Sequence, residues 1–260
     1  MARDSLAAEP KPLVALKVLK PEAQKESKKR QGTLLADLKE MQEKDEKGRH
    51  PIVHVLDVAE DLSWHTMIII PGRTVRDILD KTYPKGLPPS LLLHIAHELV
   101  SAQEYLKTQA LSRCHRDLKA GRNIILSYVP NGLPRVTLID FNGIHPWREY
   151  KAVEHIFVLV RSLRRQWREM LEGMKGKGYD EIALEEAELF YETLEAYRYG
   201  HDSTFGELKV AMERFPPALA DKLRDKEEEA VLNEVLQRPG ITTEAVDNAV
   251  AAGGMEVDVV

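Results

Sequence analysis

Asp117, Lys119, Asn123 and Asp140 are the residues of this chain whose types and spacing are most suited to chemistry. The first three lie within one short segment, and Asp140 follows Asn123 by seventeen residues. A carboxylate beside a hydroxyl group can accept its proton, whereas a second carboxylate and an amide oxygen can hold Mg²⁺, which prefers oxygen ligands. With a lysine to contact phosphate oxygens, such a set would suit the transfer of a phosphoryl group.

Four motifs, found in one order along the chain, contain or accompany these residues. They are Val14-Ala15-Leu16-Lys17, Met67-Ile68-Ile69-Ile70-Pro71-Gly72, His115-Arg116-Asp117-Leu118-Lys119 and Asp140-Phe141. The order resembles that of the eukaryotic protein kinase family, in which a strand lysine, a hinge strand, a catalytic loop and a magnesium-binding pair follow one another. Met67 would be the gatekeeper of the hinge strand. The resemblance covers about residues 12–215, and four motifs in this order are hard to obtain by chance.

The resemblance implies ATP and Mg²⁺ as cofactors and the transfer of phosphate to a serine or threonine hydroxyl of a protein. Its implied site comprises Asp117 as base, Lys17 and Lys119 on phosphate, Asn123 and Asp140 on the metal, and Met67, Ile68 and Ile70 against the nucleotide. His115 and Arg116 would brace the catalytic loop. Two simpler interpretations stay open, in which Lys17 is an exposed strand lysine and Asp140 caps the end of its strand.

Two departures from the family pattern affect the positioning of the reactants. The first glycine of the chain is Gly32, so no glycine-rich loop precedes Lys17 to bring backbone amides close to the phosphates. One residue more than in the family separates Asp117 from Asn123, and we expect Gly121 to absorb it as a bulge. This difference matters, because a displacement on the order of an ångström can lower a rate by about a hundredfold.

The sequence does not identify the carboxylate that should pair with Lys17. Helical periodicity of Leu34, Leu35 and Leu38 places Gln31 towards the site, and a glutamine cannot form an ion pair. The possible substitutes, which require another helix register, are Asp37, Glu40 and Glu43.

The segment that follows Asn142 is short and contains neither serine nor threonine before the next predicted helix. We therefore predict no regulated activation loop, and Arg116 has no obvious phosphorylated residue to bind.

Three functions are compatible with these motifs. The first is an ATP-dependent phosphotransferase that acts on proteins. The missing glycine-rich loop, helix glutamate and activation segment favour a second, a catalytically impaired pseudokinase that serves as a binding or scaffold module. The third, a small-molecule kinase of the same broad fold, ranks behind both because Lys119 and the His115-Arg116-Asp117 triplet look more like the protein-directed branch.

The predicted fold is α+β, with two lobes similar to those of a protein kinase. We expect a reduced N-terminal lobe at 1–71, with one helix and with strands at 13–19, 52–58 and 64–70. A mostly helical C-terminal lobe should follow at 72–238, with a long helix from Pro88 and a charged helix at 217–237. Residues 239–260 should form a flexible tail. Strands at 124–129 and 135–139 should form a hairpin across Asn131-Gly132, where positive φ is favoured. That hairpin would place Asn123 and Asp140 at neighbouring strand ends.

The composition is that of an ordinary soluble protein, with a net charge of −5 and 30% charged residues among 260. No general basic excess points to nucleic acid. Cys114 is the only cysteine, and the chain shows neither an apolar leader nor an apolar run of membrane-spanning length. We expect a cytoplasmic or nuclear protein, not a secreted one, that binds ATP and a protein substrate or partner and no membrane. His94 and His97 lack a third metal ligand and are expected to be ordinary histidines.

Overall fold

The computed structural model describes residues 14–18, 34–40, 42–43, 51–61, 63–108, 112–118, 121–140, 144–163, 167–197 and 204–237. The predictions for Gln31, Lys119, Phe141 and the tail at 239–260 concern residues outside these ranges. Within them the chain combines helices with three small antiparallel sheets. The predicted class, α+β, is confirmed.

The first sheet contains β1 (Val14–Val18), β2 (Val55–Val58) and β3 (Trp64–Ile68), in the order β1-β3-β2. Helix α1 covers residues 34–40, with 42–43 also helical. A small hydrophobic cluster forms from Leu34, Leu35, Leu38, Ile52, Val53, Val55, Leu106 and Ile144. The three strands and the amphipathic helix are therefore as predicted, although each strand is two or three residues shorter than expected.

The two faces of β1 have different surroundings. Lys17 lies opposite His65 of β3 and Ala15 lies opposite Met67, so these four side chains share one face of the sheet. The other face carries Val14, Leu16 and Val18, which are 42%, 52% and 66% exposed. β1 is one of the two outer strands of the described sheet, and Lys17 lies on the more buried face of that strand.

The second sheet holds the hairpin that the sequence predicts. β6 (Ile124–Ser127) pairs antiparallel with β7 (Arg135–Leu138), and β4 (Arg73–Thr74) pairs with the other edge of β6. Asn131 has a φ of 57°, which confirms the positive-φ residue of the connection. The third sheet pairs β5 (Arg113–His115) with β8 (Ile144–Pro146). It was not predicted, because strands of three residues are too short to show alternation.

The described helices after α1 carry most of the larger hydrophobic core. They are α2 (Val75–Lys81), α3 (Pro89–Thr108), α4 (Glu149–Leu163), α5 (Trp167–Met174), α6 (Glu181–Tyr197), α7 (Phe205–Glu213), α8 (Pro217–Lys222) and α9 (Lys226–Gln237). The prediction of a single helix at 217–237 is wrong, because the structure has two helices there. Asp225 separates α8 from α9, because its carboxylate accepts the N–H groups of Glu227 and Glu228 and so caps α9. Among the described helices, none has the length and apolar character needed to cross a bilayer.

Helix α3 lies at the centre of this core and packs against α4, α5, α8, β5 and β7. Its apolar face, which includes Leu92, Ile95 and Leu99, is almost fully buried. His94 Nε2–H donates to the carbonyl of Pro134 at 2.7 Å, and His97 Nε2–H donates to the carbonyl of Phe215. Both rings therefore tie α3 to neighbouring loops.

Candidate active site

The β6–β7 hairpin sets Asn123 and Asp140 side by side. Ile124 at the start of β6 pairs with Leu138 at the end of β7, and the register continues for one more step, in which the Ile139 N–H donates to the Asn123 carbonyl at 2.9 Å. Asn123 and Asp140 consequently flank the same end of the hairpin. The predicted placement of these two residues at neighbouring strand ends is confirmed.

Asp117 reaches the same place through the side chain of Asn123. The Asn123 amide nitrogen Nδ2 donates to the Asp117 carbonyl at 2.8 Å and to the carboxylate oxygen Oδ2 of Asp117 at 2.9 Å. Because both contacts use the amide nitrogen, the amide oxygen of Asn123 is directed elsewhere. The exposed carboxylate of Asp117 is thus held in a fixed orientation by the amide nitrogen of Asn123.

Gly121, where the sequence analysis expects a bulge, lies in a tight turn. This glycine has a φ of +65°. Its N–H donates to the Leu118 carbonyl at 3.0 Å, and its own carbonyl accepts the Arg76 N–H at 3.1 Å. A Cβ atom there would lie 3.0 Å from Val75 Cγ1, so both the backbone angle and the close contact with α2 favour glycine. The bulge that the sequence predicts at Gly121 is consistent with this turn.

His115 links the segment around Asp117 to the end of β7. Its buried ring donates from Nε2 to the carbonyls of Ile139 and Asp140, both at 3.1 Å, and its Nδ1 accepts the Asp117 N–H at 3.2 Å. Burial lowers the pKa of His115, against the opposing effect of the two carbonyls. A neutral ring is also what the contacts require, since Nδ1 must act as an acceptor.

Arg116 braces the same loop from the other side. Its guanidinium donates from Nη2 to the Pro146 carbonyl at 3.0 Å, at the end of β8. The bracing role predicted for His115 and Arg116 is therefore confirmed by their contacts.

Gln103 is a supporting residue that the sequence analysis missed. Its Nε2 donates to the His115 carbonyl and its Oε1 accepts the His115 N–H, both at 2.9 Å, and its side chain is fully buried. A signal existed in the sequence, because Gln103 is a polar residue next to the apolar positions Ala102 and Leu106 of α3. A buried amide on a helix needs partners, and here they are the two backbone groups of one residue.

Lys17 and Asp140 meet across 123 residues of sequence. Lys17 Nζ lies 2.5 Å from Asp140 Oδ1, and their side chains are 31% and 30% exposed. Asp140 has a φ of +65°, an uncommon backbone angle for a residue other than glycine. Lys17 is therefore a half-buried, paired lysine rather than an exposed one.

The helix carboxylates considered for Lys17 do not take that place. Asp37 and Glu40 belong to α1, and Glu43 lies just beyond it. Within the described residues, the contacts of Lys17 do not include any of the three. The partner found, Asp140, comes instead from the end of the hairpin.

His65 is a second residue of this site that the sequence analysis missed. It is 1% exposed and stands opposite Lys17 on β3. Burial, and next the positive charge of Lys17, lower the pKa of His65 to about 4, although Asp140 acts in the opposite direction. At neutral pH the ring is uncharged, so Lys17 supplies the positive charge on this side of the site.

The predicted nucleotide-contacting residues are placed on two sides of the first sheet. Met67 shares the face of Lys17, and both Met67 and Ile70 pack against the small hydrophobic cluster. Ile68 lies opposite Val14 on the other face, and its N–H donates to the His54 carbonyl at 3.0 Å. Met67 is thus the one of the three that lies on the same sheet face as Lys17.

The segment after Asp140 is anchored at Glu149. Glu149 Oε1 accepts hydrogen bonds from Lys107 Nζ and Trp147 Nε1, both at 3.0 Å, and Oε2 accepts the Phe205 N–H at 2.9 Å. Burial acts to raise the Glu149 pKa, but these hydrogen bonds together lower it. The carboxylate therefore joins α3, the residue after β8 and the start of α7.

The site offers two oxygen donors from side chains, the carboxylate of Asp140 and the amide oxygen of Asn123. Among the described residues, no group of three or more His, Cys, Asp or Glu side chains is arranged to hold a metal ion. The carboxylate of Asp140 and the amide oxygen of Asn123 are nevertheless ligand types that Mg²⁺ accepts, and Mg²⁺ commonly keeps several waters or phosphate oxygens as its other ligands.

Comparison of the chain with protein-family models and with curated proteins found no match.

This arrangement provides an oriented carboxylate at Asp117, two oxygen ligands at Asn123 and Asp140, and one ammonium group at Lys17. Lys119 lies outside the described residues. Such a set can orient a hydroxyl group and neutralise phosphate charge, which are the two requirements of phosphoryl transfer.

Proposed function

We propose that this chain is a protein-kinase-like phosphotransferase that uses ATP and Mg²⁺ and acts on serine or threonine hydroxyls of a protein. The observation that carries the proposal is the contact between Lys17 and Asp140 at 2.5 Å, made while His115 holds both Asp140 and Asp117. Residues from three distant motifs thereby share one place, in the combination that the family resemblance implies.

A two-lobed, kinase-like arrangement is part of the proposal. The first sheet and α1 would form the small lobe, and the helices with the β6–β7 hairpin the large one. The two hydrophobic clusters support this division, because the smaller one is built mostly from residues 34–55 and the larger one from residues after 74. The site residues come from both parts.

Each side chain then has a role that its surroundings support. Asp117 accepts the proton of the acceptor hydroxyl, and Asn123 fixes the orientation of that carboxylate through its amide nitrogen. Lys17 contacts the nucleotide phosphates. Asp140 and the amide oxygen of Asn123 would hold Mg²⁺, which supplies neutralisation of phosphate charge when bound.

Nucleotide binding at this site requires Lys17 and Asp140 to exchange partners. An ion pair whose members are about one-third exposed contributes no more than about 1 kcal/mol, because water screens it. Phosphate oxygens on Lys17 and a cation on Asp140 replace the lost attraction on both sides. The closed pair is therefore a state that a ligand can open at small cost.

The first test measures the binding of Mg²⁺ and ATP by its effect on thermal denaturation. At about one hundred times its dissociation constant, a ligand raises the free energy of unfolding by about 2.7 kcal/mol. We expect that stabilisation in the native chain and its loss in Asp140→Asn and Lys17→Met. Lys39→Met is the matched control, since Lys39 pairs with Asp57 at 3.4 Å on the surface. No stabilisation of the native chain would contradict the proposal.

The second test is transfer of the γ-phosphate of radiolabelled ATP to casein and to a serine/threonine peptide library. We expect transfer by the native chain and its loss in Asp117→Asn, with ATP-dependent stabilisation retained in that variant. Asp117 lies outside the Lys17–Asp140 contact, so binding and transfer should separate there.

A pseudokinase is the second candidate function, and the incomplete metal site favours it. Within the ranges that the structure describes, no group of three or more His, Cys, Asp or Glu side chains is arranged to hold a metal ion. A native chain that binds ATP yet transfers no phosphate to any acceptor would establish this alternative over the enzyme.

A further inference from the structure

A groove of about 490 Å³ lies between α3, α7 and the start of α8. It shares no lining residue with the candidate active site, and its volume lies within the range of about 300–1,000 Å³ that is typical of ligand pockets. Of the three elements that line it, α3 packs against α8, and all three contribute buried residues to the larger hydrophobic core. The groove is therefore a feature of the folded helices rather than of a single loop.

The base of the groove is apolar. Val100 of α3 and Met212 of α7 line it and are 7% and 4% exposed, and the exposed rings of Pro216 and Pro217 form one wall. Such surfaces favour a ligand with an aliphatic portion, because contact removes apolar area from water on both sides. Proline walls are also rigid, so little conformational entropy is lost when a ligand settles against them.

The charge of the groove is negative on balance. Lys209 is paired with Glu104 at 3.2 Å, which offsets the single lysine of the lining. Glu213 is exposed and has no ion-pair partner among the residues that the structure describes. It is also the last residue of α7, where the helix dipole adds partial negative charge. An aliphatic base beside a carboxylate at a helix C-terminus suits a ligand that is apolar along its stem and cationic at its end.

We infer that this groove binds an arginine side chain presented by an extended segment of a partner protein. The three methylene groups of the arginine would lie on Val100, Met212 and Pro217, and the guanidinium would reach Glu213. Arginine is favoured over lysine because its guanidinium is less strongly hydrated and can bind a carboxylate with two parallel hydrogen bonds. Ser101 is an exposed residue of α3 that also lines the groove, and its hydroxyl can bond to the backbone of the segment.

Binding in this groove does not depend on phosphoryl transfer, so it can be tested whether or not the chain is an enzyme. The probes are two fluorescein-labelled peptides, each with one central residue flanked by leucines. The central residue is arginine in one and its neutral isostere citrulline in the other. Fluorescence anisotropy with the full chain should show at least about tenfold tighter binding of the arginine peptide, equivalent to one charged contact.

Two variants and a matched control locate the binding. Glu213→Gln should reduce the affinity for the arginine peptide to that for the citrulline peptide, whereas Glu192→Gln, an identical charge change at an exposed position of α6, should leave it unchanged. Ser101→Trp should fill the groove and abolish binding of both peptides without altering the net charge. Far-ultraviolet circular dichroism and the melting temperature verify that each variant is folded.

Three results would overturn the inference. Equal affinity of the native chain for both peptides would show that no carboxylate contacts the guanidinium. An equal loss in Glu192→Gln and Glu213→Gln would mean that the net charge of the chain attracts the peptide. Undiminished binding by a folded Ser101→Trp chain would place the peptide elsewhere.

Discussion

The two sides of the candidate site are held in different ways. On the hairpin side, Asp117, Asn123 and Asp140 are fixed by backbone pairing of β6 with β7 and by the ring of His115. On the sheet side, Lys17 belongs to β1, a five-residue outer strand whose alternate side chains are 42–66% exposed. Within the part of the chain that the structure describes, the ion pair between Lys17 and Asp140 joins the two sides.

This difference separates what the fold fixes from what a ligand can change. Backbone hydrogen bonds of the hairpin persist whether or not the site is filled, and buried polar contacts are costly to break. A partly exposed ion pair is worth little to stability and is readily exchanged. Changes on the hairpin side should therefore affect folding and function together, whereas changes at Lys17 should affect ligand binding almost alone.

Removal of a buried glutamine tests the comparison with the largest expected effect. Gln103→Leu leaves the buried N–H and carbonyl of His115 without their partners, which should lower the free energy of unfolding by about 2–4 kcal/mol. Gln42→Leu is the matched change on the sheet side, because Gln42 makes the same pair of bonds to the Val53 carbonyl at 3.1 Å and the Val55 N–H at 2.9 Å. Urea denaturation measures both losses.

Function distinguishes these two variants when both are assayed well below their melting temperatures. Gln103→Leu releases His115, so transfer or ATP-dependent stabilisation should fall sharply. Gln42→Leu should keep most of either signal. Equal functional losses in the two variants would show that the hairpin side has no special role in positioning the site.

The pH dependence of stability should come from both sides, because each contains a buried neutral histidine. The pKa of His65 falls from 6.5 to about 4 on folding, and that of His115 is also lowered. A histidine whose pKa is lower in the folded state takes up protons more readily when unfolded. Its contribution is therefore complete above pH 6.5 and declines as the pH falls towards the folded pKa.

For His65 the decline between neutral pH and pH 5 should be about 2 kcal/mol. Urea denaturation at a series of pH values measures the slope. His65→Gln should flatten it, while His115→Gln should both flatten it and lower stability at pH 8, where neither ring is charged. A slope that is unaltered in both variants would exclude these rings as its source.

The sequence predicted the local parts of the site well. Alternating apolar residues and the Asn131-Gly132 dipeptide were enough to predict the hairpin, because strand pairing and turn geometry are encoded within a few residues. The hairpin then fixed the neighbours Asn123 and Asp140. The expectation that Gly121 absorbs an extra residue rests on equally local chemistry, the tolerance of glycine for positive φ.

The contacts that the sequence could not supply join distant segments. Lys17 and Asp140 are 123 residues apart, and a pattern that predicts a strand does not say which carboxylate its lysine will meet. Gln103 and His65 are polar residues inside apolar surroundings, and their partners depend on how helices and sheets pack. The break before α9 was different, since Asp225 with Glu228 three residues later is a helix-start signal that was present in the sequence.

The backbone angle at Asp140 predicts a smaller effect, which is a difference in stability between two substitutions at this position. Its φ of +65° is unfavourable for any residue with a Cβ atom, so Asp140→Gly should be more stable than Asp140→Ala by about 1 kcal/mol. Both variants lose the carboxylate and should lose Mg²⁺-dependent ATP binding equally. Denaturation curves and nucleotide titrations of the pair separate the two effects, and equal stability would indicate that the backbone relaxes when Asp140 is replaced.

Lys17→Met should have the smallest effect on stability and yet a complete effect on ligand binding. Its ion pair is about one-third exposed, so its loss should cost no more than about 1 kcal/mol, and the methionine can retain the aliphatic contacts of the lysine stem. The Lys39→Met control removes a pair in which Asp57 is 59% exposed and should cost still less. If Lys17 served the fold rather than a ligand, its variant would be clearly less stable than the control while ATP binding persisted. A stable Lys17→Met chain that no longer binds ATP would mean that Lys17 serves ligand binding rather than folding. The ion pair with Asp140 would then be a contact of the empty site that the ligand replaces.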